Sequence, residues 1–366
     1  MYMPVLVYSE SHAVERHGEA LAALGKHALI VTGKTSSRTN GSLQEVIQAL
    51  RAHDRIVTVF DAVEENPSVA TVVRAAEEGR QAHADFVIGV GGGSPLDAAK
   101  AIAFLMAQPE DEDGAAWLYQ SGSDNHLPLA LVPTTCGTGS EVTPVSVLTR
   151  TEQQTKKSIS HKIFADLALI DGRYLATAPL TVLRNTALDA LTHLIESYLN
   201  RQADDLSRLI VDSGLTLWQQ YRHALENGQP TEEERQGLMN ASMMAGIAIA
   251  QTSTTIPHGL SYALTIRQHI PHGRAVGYFT AGYLAAAEEA DRQYLLTKAG
   301  FADLNDFQEW YFRLYGRPNI PEELLRQTAD NLWQNQQPKV QTAPFPVDRD
   351  SLYRMALYSF GTDSTA

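Results

Sequence analysis

The segment FVIGVGGGSPLDAAKAIA, residues 86–103, decides the fold of this chain. It begins with an apolar run over residues 86–90, which is typical of a buried strand. Three glycines follow, and their missing side chains permit a tight turn and a close backbone approach: Gly91, Gly92 and Gly93. A helical pattern comes directly after them. A strand, a glycine turn and a helix in this order predict one unit of an α/β sheet.

The start of the helix after the glycine turn is predicted to bind an anion. We expect Ser94 to cap the helix, Pro95 to fit its first turn and Asp97 to complete an arrangement similar to a capping box. Backbone N–H groups at such a terminus point at a bound anion, and a pyrophosphate is the natural occupant. The segment lacks the GxGxxG fingerprint, so a standard dinucleotide fold does not follow from it. A strand-to-helix turn without a ligand is the alternative.

A second polar loop, LVPTTCGTGSEV at residues 131–142, also follows an apolar run. It offers exposed backbone at two glycines and hydroxyl groups from Thr134, Thr135, Thr138 and Ser140. Such a loop is able to hold the adenine, ribose or phosphates of a nucleotide. An ordinary Ser/Thr/Gly loop is the alternative interpretation.

Four metal-type side chains occur as two pairs in the second half: Asp189 with His193, and His258 with His272. Asp189 and His193 are four residues apart, so on a helix they share one face and reach the same ion. One carboxylate and three neutral imidazoles suit a borderline divalent metal such as Fe²⁺ or Zn²⁺. Because the chain has a single cysteine, Cys136, a thiolate zinc site is not expected. A surface carboxylate with scattered histidines is the alternative.

The four motifs, in this order and spacing, resemble the iron-containing (group III) alcohol dehydrogenases. The matching segments are GGGSPLDAAK at residues 91–100, PTTCGTGSE at 133–141, DALTHLIE at 189–196, and HGL at 258–260 closing with PHGRA at 271–275. The resemblance covers nearly the whole chain. It implies an α/β N-terminal nucleotide-binding domain with a mainly parallel sheet and an all-α C-terminal metal-binding domain, the dehydroquinate synthase-like fold.

The resemblance also assigns the site residues. The metal ligands, which are also the catalytic residues, are then Asp189, His193, His258 and His272. The implied metal is Fe²⁺, with Zn²⁺ or another divalent ion as the alternative. The implied cofactor-binding residues, with Asp97 added for its place at the helix start, are Gly91, Gly92, Gly93, Ser94, Thr134, Thr135, Thr138, Val147 and Lys157. The adjacent Lys156 is the alternative to Lys157, which matches a lysine near the cofactor ribose.

The end of the second predicted strand bears on the choice of cofactor. Many NAD-preferring members of the family place Asp there, whereas this chain has Gly33, followed by Lys34 and, four residues later, Arg38. Without the carboxylate there is room for a 2′-phosphate, which hydroxyls and the two cations could bind. We therefore expect NADP(H) to be favoured over NAD(H). A glycine turn that is indifferent to the phosphate is the alternative.

The resemblance implies a metal-dependent alcohol dehydrogenase or aldehyde reductase that transfers hydride between a primary alcohol or diol and NAD(P). Two alternatives are a polyol oxidoreductase that resembles glycerol dehydrogenase and uses zinc, and a related non-redox, metal- and NAD-dependent synthase. A nucleotide-binding regulatory protein with a dead site is a third. The intact set of four metal-type residues argues against this third alternative.

The two halves of the chain differ in pattern. Before residue 177, helical patterns alternate with apolar runs near residues 5–8, 28–32, 56–60, 86–90, 129–132 and 145–148. After it the pattern is helical, for example over residues 206–221, 232–250 and 281–296. We predict a dinucleotide-binding domain over residues 1–176 and an all-helical metal-binding and substrate domain over residues 177–366.

Composition narrows the partners and the location. The net charge of −13 argues against a nucleic-acid or anionic-membrane partner. No apolar run approaches the ~20 residues of a membrane span. The single cysteine and the absence of a signal-like start lead us to expect a cytoplasmic protein. By resemblance, its partners are a small alcohol or aldehyde substrate and further copies of itself, in a homodimer or a larger homo-oligomer.

Overall fold

A computed structural model describes residues 1–109, 114–153 and 155–358. The chain forms two compact units. The first contains Tyr2–Pro179 together with Pro230–Gly246, and the second contains Leu180–Gln229 together with the chain from Ile247 onward. The chain therefore first passes from one unit to the other between residues 179 and 180, three residues beyond the predicted boundary at 176/177. The sequence analysis did not predict that residues 230–246 belong to the first unit.

The first unit is built on a parallel sheet. The strands are β1 (Leu6–Ser9), β2 (His27–Thr32), β3 (Ile56–Phe60), β4 (Phe86–Gly91), β5 (Leu129–Pro133), β6 (Val147–Arg150), β7 (Thr155–Ser158) and β8 (Leu167–Ile170). Six of them form one sheet in the order β1-β8-β5-β4-β2-β3, and all its pairings are parallel. Strands β6 and β7 form a separate antiparallel hairpin.

Helices cover the sheet and make up the second unit. Helices of the first unit are α1 (Ala13–Arg16), α2 (Gly18–Ala22), α3 (Ser36–Thr39), α4 (Ser42–Ala52), α5 (Val69–Gln81), α6 (Gly93–Met106) and α7 (Gly114–Trp117), with 3₁₀ turns at Ser140–Val142, Thr151–Gln153 and Gly172–Leu175. The helices that follow are α8 (Leu180–Tyr198), α9 (Asp205–Tyr221), α10 (His223–Asn227), α11 (Glu232–Thr252), α12 (Ile256–Arg267), α13 (His272–Ala286), α14 (Glu289–Lys298), α15 (Leu304–Tyr315), α16 (Glu322–Asn335), α17 (Gln337–Gln341) and α18 (Arg349–Tyr358). The predicted fold class is confirmed. None of the helices in the described part of the chain combines the length and the apolar character that a membrane span needs.

Five of the six predicted strands lie in the parallel sheet, and the sixth is a strand of a separate hairpin. The apolar run at 145–148 contributes to β6, which pairs with β7 rather than with the sheet. The sixth sheet strand is β8, a four-residue run that pairs with both β1 and β5. So short a run carries little periodicity, and its pairing depends on partners far away in sequence.

The predicted helix over residues 281–296 is divided in the structure. Helix α13 ends at Ala286, and the next two residues, Ala287 and Glu288, leave the helical conformation, with ψ of 157° and 141°. Helix α14 then begins and packs against α9. The local sequence AAAEEA favours a helix throughout, so tertiary packing overrides propensity here.

The central strands are buried because helices cover both faces of the sheet. Along β4, Val87 faces one apolar core with residues of α5 and α6, whereas Ile88 faces the other with residues of α4. Gly89 allows α6 to approach β4 closely. A Cβ atom at this position would lie 2.8 Å from the Cβ of Ala99 and 2.7 Å from Cδ2 of Leu131.

We predict that Gly89→Ala destabilises the protein by about 1–3 kcal/mol, because the added methyl group has no room between β4 and α6. The free energy of unfolding would be measured by denaturant titration. Gly122→Ala is the matched control, since the nearest atom to its added Cβ is 3.9 Å away. Equal stability of the two variants would contradict this account of the helix packing.

Candidate functional site

One face of α8 carries three acidic or imidazole side chains. Asp189, His193 and Glu196 are four and then three residues apart, so they project from the same side of the helix. All three residues are buried, at 3%, 5% and 0% exposure. A helix that buries ionisable groups on one face must supply them with partners, because an isolated buried charge is strongly unfavourable.

The four predicted metal ligands lie together in the structure. Three imidazole Nε2 atoms surround Oδ1 of Asp189, at 4.0 Å from His193, 3.5 Å from His258 and 3.8 Å from His272. The rings of His193 and His258 are stacked with centroids 4.5 Å apart. Two helices of the second unit bring the remaining ligands to α8, since His258 lies in the first turn of α12 and His272 begins α13.

These separations and the chemistry of the donor atoms fit a divalent metal ion. Ligand atoms that are each about 2.1 Å from one tetrahedral ion lie about 3.4 Å apart, close to the distances found here. Asp189 Oδ1 and His258 Nε2 are buried, and neither has a hydrogen-bond partner among the described residues. Two buried polar atoms that face each other without a hydrogen bond are the expected result when an ion is their shared partner.

Glu196 was given no role in the sequence analysis, yet it holds His258 in place. Its Oε2 accepts a short hydrogen bond from Nδ1 of His258. Its Oε1 accepts bonds from the backbone N–H and the hydroxyl of Thr255, both at 3.0 Å, and from the backbone N–H of His258 at 3.3 Å. A carboxylate on Nδ1 leaves the Nε2 lone pair directed at the cluster. The seven-residue spacing from Asp189 was the signal that could have identified it.

The electrostatics of the cluster keep both carboxylates ionised. Burial alone would raise the pKa of Asp189, but the positive charges of His193 and His272 outweigh it, and its pKa is lowered. The pKa of Glu196 is likewise lowered, because the attraction of His258 outweighs burial. Burial opposes the charged form of His258, yet Glu196 and Asp189 raise its pKa to about 10. Both carboxylates are therefore held in their charged form, and a divalent ion bound by the cluster would displace the protons of the histidines.

In the first unit, the predicted phosphate turn has a different helix start from the one expected. The N-cap of α6 is Gly92, and no side chain caps the helix. Ser94 lies inside the first turn, where its hydroxyl accepts a hydrogen bond of 3.0 Å from the backbone N–H of Asn66. The prediction of Ser94 as the cap was therefore wrong. The helix N-terminus is nevertheless open to an anion, because Gly92, Gly93 and Ser94 are only half-buried.

The second polar loop, residues 131–142, is called the threonine loop. It lies directly against the glycine turn, residues 91–93. The backbone N–H of Thr134 donates to the carbonyl of Gly91 at 2.8 Å. A Cβ atom at Gly92 would lie 3.1 Å from Cγ2 of Thr135, and one at Gly93 would lie 2.7 Å from Cγ2 of Thr138. The structure therefore brings the two predicted nucleotide-binding segments together, and a side chain at Gly93 would force Thr138 to move.

Asp97 does not form the predicted capping arrangement. Its Oδ1 accepts a hydrogen bond of 2.6 Å from the hydroxyl of Ser140, and its Oδ2 accepts one of 2.9 Å from the backbone N–H of Val147. The carboxylate is thus directed at the loop that follows β5 rather than at the helix terminus. A cap requires the carboxylate to reach N–H groups of its own first turn, and here both oxygens are engaged elsewhere.

The two lysines of β7 point in opposite directions because successive strand residues face opposite sides. Lys156 Nζ donates a hydrogen bond of 2.7 Å to Oδ1 of Asn66, the residue whose backbone contacts Ser94. Lys157 Nζ instead lies 5.3 Å from the ring centroid of Tyr119. Lys156, the alternative left open by the sequence, is therefore the lysine adjacent to the phosphate turn.

The structure places Gly33 directly after β2, with space above it. A Cβ there would lie 3.4 Å from the carbonyl oxygen of Val63, an ordinary contact. One of the two cations that were expected to bind a 2′-phosphate is already partnered, since Arg38 forms an exposed ion pair of 2.6 Å with Asp61. Exposed pairs of this kind are weak, so Arg38 remains able to exchange its partner.

Comparison with known proteins gives matches over both units. Residues 4–172 match the family model described as iron-containing alcohol dehydrogenase. Residues 184–300 match the model for the C-terminal part of the Fe-containing alcohol dehydrogenase family. Together the two models cover the glycine turn, the threonine loop and the four clustered metal-type residues.

Individual relatives agree with these matches. The chain is 34% identical to long-chain-alcohol dehydrogenase 1 of Geobacillus thermodenitrificans over 256 residues, which are 68% of this chain and 63% of that protein. Its structure is similar to that of an iron-containing alcohol dehydrogenase from Thermotoga maritima, with a TM-score of 0.89, 32% identity and coverage of 99% of each chain. It is also similar to sulfoacetaldehyde reductase from Bifidobacterium kashiwanohense in complex with NAD⁺, with a TM-score of 0.86, 28% identity and coverage of 99% and 98%.

We predict that Glu196→Gln lowers the affinity for Fe²⁺ or Zn²⁺ by about 10- to 100-fold, because the amide no longer fixes the His258 ring through a charged acceptor. Competition with a chelator of known affinity would measure the change. Glu289→Gln, at the start of α14, is the control, and its affinity should equal that of the parent. An unchanged affinity in Glu196→Gln would show that this carboxylate does not support a metal ligand.

We predict that Gly93→Ala weakens nicotinamide-dinucleotide binding at least tenfold, because its Cβ displaces Thr138 and narrows the phosphate turn. The dissociation constant would be measured by fluorescence titration with the reduced dinucleotide. Gly92→Ala should have a smaller effect, since its closest contact is longer. A folded Gly93→Ala variant with the affinity of the parent would remove this turn from the nucleotide site.

Proposed function

The chain belongs to the iron-containing alcohol dehydrogenase family, and we propose that it is a metal-dependent oxidoreductase that acts on a primary alcohol or diol with NAD(P) as cofactor. The reverse reaction reduces the corresponding aldehyde. The observation that carries the proposal is the buried Asp189 carboxylate oxygen with three imidazole nitrogens within 4.0 Å of it.

The four clustered residues, Asp189, His193, His258 and His272, would hold the metal. A divalent ion bound there supplies Lewis-acid polarisation of the substrate oxygen and lowers the pKa of an alcohol hydroxyl. With the metal bound, Glu196 would hold the proton of His258 on Nδ1, which leaves Nε2 as the ligand atom. The single carboxylate among the ligands leaves part of the ion's charge uncompensated, which favours an anionic substrate oxygen.

The first unit would hold the dinucleotide, which accepts or delivers the hydride. The backbone N–H groups at the start of α6 are the proposed pyrophosphate site, with Gly92, Gly93 and Ser94 exposed enough to admit it. Thr134, Thr135 and Thr138 line the adjoining loop. Lys156, held by Asn66, adds a positive charge beside this turn and is proposed to contact the cofactor in place of Lys157.

We predict that the metal-free protein is inactive and that anaerobic addition of Fe²⁺ restores oxidation of alcohols such as 1-propanol and 1,2-propanediol, read as formation of reduced nicotinamide. His258→Ala should lose at least 10³-fold in kcat/KM, because it removes a ligand and opens the cluster to water. The exposed His223 on α10 supplies the control variant, His223→Ala, which should keep the activity of the parent.

Each other outcome of this assay is informative. Activity that persists in a chelator without detectable metal would overturn the proposal. A strong preference for glycerol with Zn²⁺ would identify a polyol dehydrogenase instead. Bound metal and dinucleotide without any reduction of the nicotinamide would favour a non-redox synthase.

The proposed cofactor preference is NADP(H), with NAD(H) accepted more weakly. Gly33 leaves room for a 2′-phosphate, and Lys34 is exposed beside it. Charge-assisted hydrogen bonds to such a phosphate contribute roughly 1.5–3 kcal/mol. Because Asp61 pairs with Arg38, part of this attraction is offset, and the preference should be moderate.

We predict that Gly33→Asp shifts the ratio of kcat/KM values toward NAD(H) by at least tenfold, because a carboxylate accepts hydrogen bonds from the ribose and repels a 2′-phosphate. Asp61→Asn should move the ratio the other way, since it releases Arg38. Steady-state kinetics with both cofactors would measure the ratios. A parent enzyme that prefers NAD(H), or a Gly33→Asp variant with an unchanged ratio, would refute the role given to residues 33–38.

A further inference from the structure

A lysine that the proposed reaction does not use lies completely buried in α6, about two turns after the start of the helix. Lys100 has 0% exposure and is among the largest fully buried side chains in the described residues. Lysine is rarely buried without partners, because the loss of hydration of an ammonium group is costly. Burial lowers its pKa to about 8 despite the nearby charge of Asp97. Because burying the ammonium group of Lys100 costs free energy, its partners in the structure need to be identified.

The ammonium group of Lys100 has an acceptor for each of its three hydrogens. Nζ donates to the hydroxyl of Ser140 at 2.7 Å, to the carbonyl of Val145 at 2.8 Å and to the hydroxyl of Thr143 at 3.2 Å. Ser140 lies near the end of the threonine loop, and Thr143 and Val145 lie in the segment that follows it. Three donors are the full capacity of the group, so its position is fixed from three directions.

Asp97, three residues earlier on α6, binds the same segment. Its Oδ1 is 3.7 Å from Lys100 Nζ and accepts the hydroxyl hydrogen of Ser140, while Oδ2 accepts the backbone N–H of Val147. The hydroxyl of Ser146 donates at 2.7 Å to the backbone carbonyl of Asp97. Hydrogen bonds that involve the two charged side chains and the helix backbone thus hold residues 140–147 against α6.

The hydrogen-bonded network extends to the phosphate turn through Ser140. The backbone N–H of Ser140 donates to the hydroxyl oxygen of Thr138 at 3.2 Å. Thr138 in turn packs against Gly93, the first residue of α6. Because the Thr138 oxygen accepts this bond, its hydroxyl hydrogen is the group left to offer a ligand. Lys100, Ser140, Thr138 and Gly93 therefore form a continuous series of contacts from the buried ammonium to the turn.

We propose that Lys100, together with Asp97, is a positioning residue for the dinucleotide: it fixes the threonine loop against the glycine turn so that hydroxyl and backbone donors converge on the cofactor. Neither side chain touches the cofactor in this account. The inference deepens the proposed function and rests on it, since it concerns the same nucleotide site. Its consequence is that loss of Lys100 weakens cofactor binding more than it slows the hydride step.

The test compares Lys100→Met, which removes the charge and keeps the length, with Ile102→Val on the same helix. Binding of NADPH and NADH would be measured by fluorescence titration, together with KM, kcat and the melting temperature of the metal-loaded enzyme. We expect Lys100→Met to raise the dissociation constant and the cofactor KM by at least about tenfold, with kcat at saturating cofactor within about twofold of the parent. Ile102→Val should lower stability without changing the dissociation constant.

A second pair of variants keeps the test decisive if Lys100→Met does not fold. Thr143→Val removes one acceptor of Lys100 and keeps the side-chain shape, whereas Thr143→Ser retains the hydroxyl. Weaker dinucleotide binding in Thr143→Val, with recovery in Thr143→Ser, supports the proposal. Variants that lose stability but bind the dinucleotide like the parent would show that the network is only structural. A parent that binds no dinucleotide would instead overturn the proposed function.

Discussion

The second unit depends on the neutralisation of one buried carboxylate. Asp189 lies on a helix face that is closed to water, and three imidazole groups from α8, α12 and α13 converge on one of its oxygens. Within the described part of the chain, neither Oδ1 of Asp189 nor Nε2 of His258 has a hydrogen-bond partner. A divalent ion bound there would give both atoms a shared partner and would join the three helices at one point. Binding of a metal there would therefore be coupled to the local arrangement of these helices.

The packing of the first unit depends on a different constraint, which is that backbone segments approach each other closely at glycines. Gly89 brings α6 onto β4, and Gly93 brings the threonine loop onto the start of α6. At each place a single methyl group would separate the two segments. Asp97 and Lys100 lie four and seven residues after Gly93, on the same face of α6, and their buried polar network then fixes the loop against that face. The phosphate turn is thus shaped by packing before any ligand arrives.

The sequence predicted those features that depend on residues close together in the chain. The glycine turn, the five main apolar strands and the spacing of Asp189 and His193 are all readable within one element. The missed features depend on partners that are distant in sequence: β8 finds its place only beside β1 and β5, and the break after α13 reflects packing against other helices. The start of α6 was misassigned because Ser94 is a good capping residue, yet its hydroxyl serves the loop at Asn66. Glu196 and Lys100 escaped notice because a lone charged residue in a helical pattern is usually solvated.

The central claim is that the Asp189 cluster holds one divalent metal ion. The direct measurement is anaerobic reconstitution of the metal-free protein with Fe²⁺, followed by removal of excess ion and elemental analysis of the parent and of Asp189→Asn. The account predicts about one ion per chain in the parent. It predicts little retained ion in Asp189→Asn, because the only carboxylate ligand is lost. A parent without bound metal, or equal metal content in both proteins, would contradict the account.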